Sequence, residues 1–239
     1  MTETNLHEEL QQALGDAYSV ERELRAGGMS RVFLAVERSL GRKVVVKVLP
    51  PELASGVSTA RFEREVTLTA GLQHPHILPV LAVGACQCGL SYYITPFIEG
   101  HTLRDRLSRD GALPIADATD ILRELAGALA YAHGRGVIHR DVKPENVLLS
   151  GGHAVLADFG IARAVEQVTQ SDRLTVTGGS IGTPGYMAPE QLVGSAALDA
   201  RVDVFALGVV GYEMFAGRPP FTGNTPELLA AAYFTEPPV

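Results

Sequence analysis

The chain has 239 residues, of which 46% are hydrophobic and 20% are charged, and its formal net charge at pH 7 is -7. This length and apolar content are enough to bury one large hydrophobic core or two smaller ones. The acidic balance excludes a nucleic-acid-binding surface, because binding to a phosphate backbone needs clusters of Lys and Arg, so we expect no nucleic-acid partner.

The N-terminal part of the chain predicts a short helix followed by strands. Met1 to Gln12 is acidic and polar, which is not the pattern of a secretory signal, so we expect the chain to begin in the cytoplasm. Leu6, Leu10 and Leu14 recur at helical spacing and predict an amphipathic helix packed on the surface. Three β-type segments then predict an antiparallel meander: Tyr18 to Leu24, Val32 to Val36 and Lys43 to Leu49.

Two features of this meander point towards phosphate chemistry. The first turn contains Gly27 and Gly28, and glycine lets backbone amides approach a phosphate without a Cβ in the way, although a plain hairpin turn is an equal alternative. Lys47 lies among β-branched residues, where a buried charge needs a partner, and Glu63 and Glu65 follow on a helical stretch. The alternative is that Lys47 reaches solvent from a sheet edge.

The second half of the chain predicts mainly helices. A strand from Tyr92 to Thr95 is followed by helical sequence from Leu103 onward. The apolar run from Val202 to Gly217 contains Asp203 and Glu213 and is shorter than a bilayer requires, so it predicts a buried helix and no membrane segment. A further helix has an apolar stripe formed by Ile121, Leu122, Leu125, Leu129 and Ala132.

The polar run from His139 to Asn146, followed by Asp158, carries the strongest chemical signal. Asn146 and Asp158 offer hard oxygen ligands suited to Mg²⁺. Asp141 can accept the proton of an attacking hydroxyl, with Lys143 near a transferring phosphate. Ordinary turn residues would explain a lone Asp but not this ordered run. The apolar flanks predict short strands at Val137–Ile138, Val147–Leu149 and Ala154–Ala157.

These residues resemble a known family. H-R-D-x-K-P-E-N at 139–146 with D-F-G at 158–160 resembles the catalytic loop and metal motif of eukaryotic-like protein kinases, and Lys143 resembles the serine/threonine branch. The 182–190 segment resembles that branch's substrate-docking segment, which closes with A-P-E. The 182–190 segment and Gly27-Gly28-Met29-Ser30 together are most similar to the bacterial, Hanks-type members of the family.

The resemblance implies an α+β, bilobal kinase fold, with a small antiparallel β lobe carrying one main helix and a larger, mostly helical lobe. We expect a helical extension over residues 1–17, the small lobe and hinge over 18–98, and the large lobe over 99–239. The sequence stops at Val239, before the family's final helices of the large lobe and before the Arg that should pair with Glu190. We therefore expect a fragment of a longer protein. The missing part could anchor that protein in a membrane.

The resemblance also assigns an ATP site and catalytic groups. The carbonyl of Pro96 and the amide of Ile98 should bind adenine, beside the small Thr95. Lys47 should pair with Glu65, and Asp203 should bond to the backbone of the 139–146 loop. The nucleotide-binding residues implied are Gly27, Gly28, Ser30, Val32, Lys47, Pro96 and Ile98. The catalytic residues implied are Asp141, Lys143, Lys47, Glu65 and Thr183, with Asn146 and Asp158 as ligands of Mg²⁺ or Mn²⁺.

The function implied is ATP-dependent phosphorylation of Ser and Thr residues on proteins. Thr175 and Thr177 match the paired threonines that bacterial relatives phosphorylate on themselves, so we expect activation by autophosphorylation in trans, with Arg140 as a cation for the new phosphate. Arg25 stands at the family's first glycine position, which leaves a pseudokinase or nucleotide-binding scaffold as the alternative. A small-molecule phosphotransferase does not account for the 182–190 segment.

Overall fold

A computed structural model describes residues 3–25, 31–49, 66–85, 90–159, 184–195, 197–221 and 226–235. Some of the positions assigned from the sequence lie outside these ranges: Gly27, Gly28, Ser30, Glu65, Thr175, Thr177 and Thr183. The chain divides into two compact units. Described residues up to 73, with 79–85 and 90–97, belong to the first unit, and residues 74–78 with those from 98 onward belong to the second.

The first unit is built on a five-stranded antiparallel sheet, with strand order β1-β2-β3-β5-β4. Its strands are Tyr18–Arg25 (β1), Arg31–Glu37 (β2), Arg42–Val48 (β3), Ala82–Ala85 (β4) and Ser91–Pro96 (β5). In β3 the buried positions are Val44, Val46 and Val48, which alternate with more exposed residues as one face of a pleated strand must. This alternation orients Lys47 away from the apolar face of the strand.

An N-terminal helix, Glu3–Leu14 (α1), shares the core of this sheet. Leu6, Leu10 and Leu14 are all buried in one hydrophobic cluster with residues of β1, β2 and β3. The Gln11 side chain fixes the helix to the start of β1, because it accepts a 2.8 Å hydrogen bond from the Val20 amide and donates to the Tyr18 carbonyl. The helix is therefore part of the packing of the first unit.

Replacing Leu10 by Ala is expected to lower the free energy of unfolding by about 2–5 kcal/mol, because it leaves a cavity in a close-packed cluster. Leu10 is 1% exposed, whereas Leu40, in the β2–β3 turn, is 67% exposed. Leu40→Ala is the matched control and should change stability by less than about 0.5 kcal/mol. Urea unfolding followed by circular dichroism measures both, and equal effects would show that α1 does not stabilise the unit.

The second unit is mostly helical. Its helices are Leu103–Asp110 (α2), Ile115–His133 (α3), Pro189–Leu192 (α4), Arg201–Ala216 (α5) and Pro226–Thr235 (α6). A small antiparallel sheet accompanies them, formed by the strands His101–Thr102 (β6), Val147–Ser150 (β7) and His153–Leu156 (β8). The predicted α+β composition is therefore confirmed. No helix in the described ranges is long and apolar enough to cross a bilayer.

The predicted strand at Val137–Ile138 is wrong. After α3 ends at His133, Gly136 adopts a left-handed conformation (φ 72°), and the Val137 amide donates to the Ala132 carbonyl. This hydrogen bond satisfies the exposed end of the helix and removes the donor that a strand would need for pairing. Val137 and Ile138 therefore form a loop leading into the polar run, while the predicted strands on its other side are present as β7 and β8.

Candidate active site

The loop at residues 139–146 is fixed to α5 by one buried carboxylate. Asp203, in the first turn of α5, is 0% exposed. Its two oxygens accept hydrogen bonds from the backbone amides of His139 (2.8 Å) and Arg140 (2.7 Å). The same carboxylate lies 2.7 Å from Nε2 of His133, at the end of α3. The expected bond from Asp203 to the loop backbone is confirmed.

Two non-glycine residues near this loop have left-handed backbone conformations. Arg140 has φ 69° and Asp158 has φ 66°, and they are the only non-glycine residues with positive φ in the part of the chain that the structure describes. Such conformations cost energy and persist where neighbouring contacts impose them. For Arg140 these contacts are visible, because its amide donates to Asp203 and its carbonyl accepts from Nε2 of Gln191.

His139 connects this loop to the segment after β8, and sequence reasoning missed this role. The imidazole is buried, and its Nδ1 accepts a hydrogen bond from the Asp141 amide while Nε2 lies 2.8 Å from the Ala157 carbonyl. These partners require the proton on Nε2. The ring also packs edge-on against Phe159, with centroids 4.5 Å apart. His139 thereby holds Asp141 in register with the residues around Asp158.

The structure brings together three of the residues singled out from the sequence. Nζ of Lys143 lies 2.9 and 2.7 Å from the two carboxylate oxygens of Asp141. Nδ2 of Asn146 donates both to the Asp141 carbonyl (2.8 Å) and to its carboxylate (3.0 Å). The carboxylate is thus oriented from two sides, by a cation and by an amide.

The residues present fit a divalent metal ion. Both bonds that Asn146 donates come from its amide nitrogen, so its Oδ1 is the atom suited to coordinate a cation. Asp158 adds a carboxylate placed by a constrained backbone. Amide and carboxylate oxygens are the hard ligands that Mg²⁺ prefers.

Most of the other assigned residues that the structure describes lie in the first unit. Lys47, on β3, pairs in register with Val32 on β2 and Tyr93 on β5, and its Nζ lies 5.9 Å from the centre of the Tyr93 ring. Pro96 is the last residue of β5, and Thr95 before it is buried. In the second unit, Ile98 is half-buried.

A buried ionic cluster in the second unit was also missed by sequence reasoning. The Arg104 guanidinium contacts Glu145, Glu213 and Tyr186, which are 41, 109 and 82 residues away along the chain. The only local signal was an Arg in the first turn of a predicted helix, which is an ordinary solvent-facing pattern. We call these four residues the Arg104 cluster.

Comparison with known protein families matches residues 18–236 to the protein kinase domain. The chain belongs to the protein kinase family. This kinase domain is 42% identical over 231 residues to the serine/threonine-protein kinase PknB of Mycobacterium leprae, an alignment that covers 95% of this chain and 36% of the relative. It is 40% identical to PknA of Mycobacterium tuberculosis, over 94% of this chain and 52% of the relative.

Solved structures agree with this assignment. The crystal structure of the Mycobacterium tuberculosis PknI kinase domain aligns with a TM-score of 0.70 at 32% identity, covering 93% of this chain and 79% of that one. The expected bacterial serine/threonine kinase family and kinase fold are thus confirmed. Family membership implies ATP as the phosphoryl donor. This kinase domain spans little more than a third of the length of the PknB relatives it matches.

Proposed function

We propose that this kinase domain transfers the terminal phosphoryl group of ATP to Ser and Thr hydroxyl groups of proteins. The observation that supports this most directly is the Asp141 carboxylate, oriented by Lys143 and Asn146. A carboxylate held in this way can accept a proton without first reorganising, which is how a fixed site lowers an activation barrier. The relatives' names as serine/threonine-protein kinases support the same substrate class.

In the proposed reaction, Asp141 accepts the proton of the attacking hydroxyl as its oxygen bonds to phosphorus and the bond from phosphorus to the leaving ADP oxygen breaks. Lys143 remains beside Asp141 and balances the negative charge that gathers on the phosphoryl oxygens. Asn146 and Asp158 would hold Mg²⁺ or Mn²⁺, which when bound neutralises phosphate charge.

We assign nucleotide binding to the residues that the family resemblance implies. Lys47, paired with Glu65, contacts the phosphates. Val32 on β2 lies directly opposite Lys47 on β3 and belongs to the same proposed site. Pro96 and Ile98 offer backbone groups to adenine. The backbone of Gly27, Gly28 and Ser30 completes the phosphate contacts.

We further propose that proteins are the acceptors, with Thr183 completing the catalytic group within the 182–190 segment. The same chain acts as its own substrate in trans at Thr175 and Thr177. We place the domain in the cytoplasm, in a longer protein that a membrane anchor could hold, and assign it no nucleic-acid partner, consistent with the net charge of -7.

Phosphate incorporation tests this proposal. The chain is incubated with ATP labelled at the terminal phosphate and a generic protein rich in Ser and Thr, and the labelled residues are identified after acid hydrolysis. We expect phosphoserine or phosphothreonine in the presence of Mg²⁺ and loss of labelling when EDTA removes the metal, because Asn146 and Asp158 then lose the cation they are proposed to hold. Undiminished labelling in EDTA would contradict the metal assignment, and no labelling with Mg²⁺ or Mn²⁺ would contradict the function.

A further inference from the structure

Gln191, in α4, connects two backbone groups that lie far apart in the sequence. Its Oε1 accepts a 3.1 Å hydrogen bond from the Ala188 amide, and its Nε2 donates a 2.9 Å hydrogen bond to the Arg140 carbonyl. Since one partner is a donor and the other is an acceptor, a single orientation of the side-chain amide satisfies both. Gln191 therefore bridges the 182–190 segment, which contains Ala188, and the loop that carries Asp141.

The carbonyl that Gln191 contacts belongs to the peptide group directly before the proposed base, Asp141. At the other end of that peptide group, the Asp141 amide donates to Nδ1 of the buried His139 at 3.2 Å. Arg140, which supplies the carbonyl, has a left-handed backbone with φ 69°, a conformation that neighbouring contacts must impose. The plane of this peptide group is thus held at its carbonyl by Gln191 and at its amide by His139.

The bond to Ala188 has a local explanation, whereas the bond to Arg140 does not. Gln191 is the third residue of α4, and a Gln at this position commonly accepts from the backbone amide at the start of its helix, as in a capping box. That bond needs only the side-chain oxygen. The bond to Arg140 spans 51 residues and uses the side-chain nitrogen, which a Glu would lack. This bridge shares no residue with the Arg104 cluster.

We infer that Gln191 is a positioning residue, which sets the peptide group before Asp141 relative to the 182–190 segment and thereby places the base for the acceptor hydroxyl. This inference rests on the proposed function, because it requires a peptide acceptor. Gln191 acts through the backbone of Arg140 and contributes no proton or metal ligand. Loss of its bond to Arg140 should therefore lower kcat for the peptide and leave ATP binding unchanged.

Gln191→Glu separates the two bonds, and steady-state kinetics of the full chain with a Ser-containing or Thr-containing peptide measure the result. The carboxylate has nearly the shape of the amide and still accepts from Ala188, but it offers no N–H to the Arg140 carbonyl. At about pH 8 we expect kcat to fall about ten- to a hundredfold, the cost of misplacing a catalytic group by up to about 1 Å, while KM for ATP stays within about twofold. Gln12→Glu is the matched control, because it makes the same change at an exposed position on α1 and should leave kcat unchanged.

The pH dependence of Gln191→Glu gives a second readout, which loss of a helix cap would not produce. A protonated carboxyl group can donate its O–H to the Arg140 carbonyl while its other oxygen still accepts from Ala188. Partial burial and the facing carbonyl oxygen favour the protonated form, so the pKa of the introduced group should lie above the usual value of about 4.3. We therefore expect kcat of the variant, divided by that of the unaltered chain at the same pH, to rise between about pH 8 and about pH 5.

Either of two results would overturn the inference. The first is a kcat for Gln191→Glu equal to that of the unaltered chain, which would leave Gln191 only the role of a helix cap. The second is a deficit in kcat that stays constant with pH. If Gln191→Glu does not fold, Gln191→Met replaces it, because Met has a similar length, adds no charge and removes both hydrogen bonds. It should lower kcat at least about tenfold, and an unchanged kcat overturns the inference. An unaltered chain that phosphorylates no peptide contradicts the proposed function itself.

Discussion

Asp141→Asn is expected to lower kcat for phosphoryl transfer by about 10²- to 10⁴-fold, the contribution of a positioned general base. The amide has almost the same size as the carboxylate but cannot accept a proton from the attacking hydroxyl. It also removes the ion pair with Lys143, which lies within 2.7 Å of the carboxylate. We expect KM for ATP to change by less than about threefold, because Asp141 is assigned to the acceptor side of the reaction.

The matched control is Asp120→Asn, the same chemical change at an exposed carboxylate that pairs with Arg123 on α3. Its kcat should equal that of the unaltered chain. Rates measured with labelled ATP compare the three proteins directly. Equal labelling by Asp141→Asn and the unaltered chain would refute Asp141 as the base, and the absence of transfer from all three, with ATP still bound, would favour the scaffold alternative.

Much of the fold follows from local sequence patterns. The three strands of the N-terminal meander and the two strands that precede Asp158, β7 and β8, are where alternating or short apolar runs predict them, because each pattern depends only on neighbouring residues. Val137–Ile138 has the same apolar character but no strand, since the Val137 amide is already bonded to Ala132 at the end of α3. A local pattern does not reveal such competition for a backbone donor.

The geometry of the candidate site was less accessible from the sequence. The closeness of Asp141, Lys143 and Asn146 could be expected, because the three lie within one short loop. The Arg104–Glu213 pair spans 109 residues and joins two helices whose packing is set by the whole unit. Asp203 was assigned only through the family resemblance, since one acidic residue in an apolar helix does not identify the backbone it will bind.

Asp203→Asn is expected to cost about 3–5 kcal/mol of unfolding free energy, the effect of breaking a buried ionic interaction. Both oxygens of Asp203 accept from backbone amides, one from His139 and one from Arg140. An Asn must turn its NH₂ group towards one of these donors, which leaves a buried N–H facing another N–H. The hydrogen bond from the Arg140 amide to Asp203 also holds Arg140 at φ 69°. When this bond is weakened, the 139–146 loop should relax, and kcat should fall by about 10²-fold, the cost of misplacing a catalytic group by about 1 Å.

Asp199→Asn is the control for this change, because Asp199 lies four residues earlier, is exposed and pairs only with Arg201 among the residues that the structure describes. We expect it to alter stability by less than about 0.5 kcal/mol and to leave kcat unchanged. Urea unfolding and phosphate transfer, measured on the same preparations, separate two roles of Asp203. A loss of stability with normal kcat in the folded fraction would mean that Asp203 supports only the fold. A loss of both would show that its two hydrogen bonds also place the Asp141 carboxylate for catalysis.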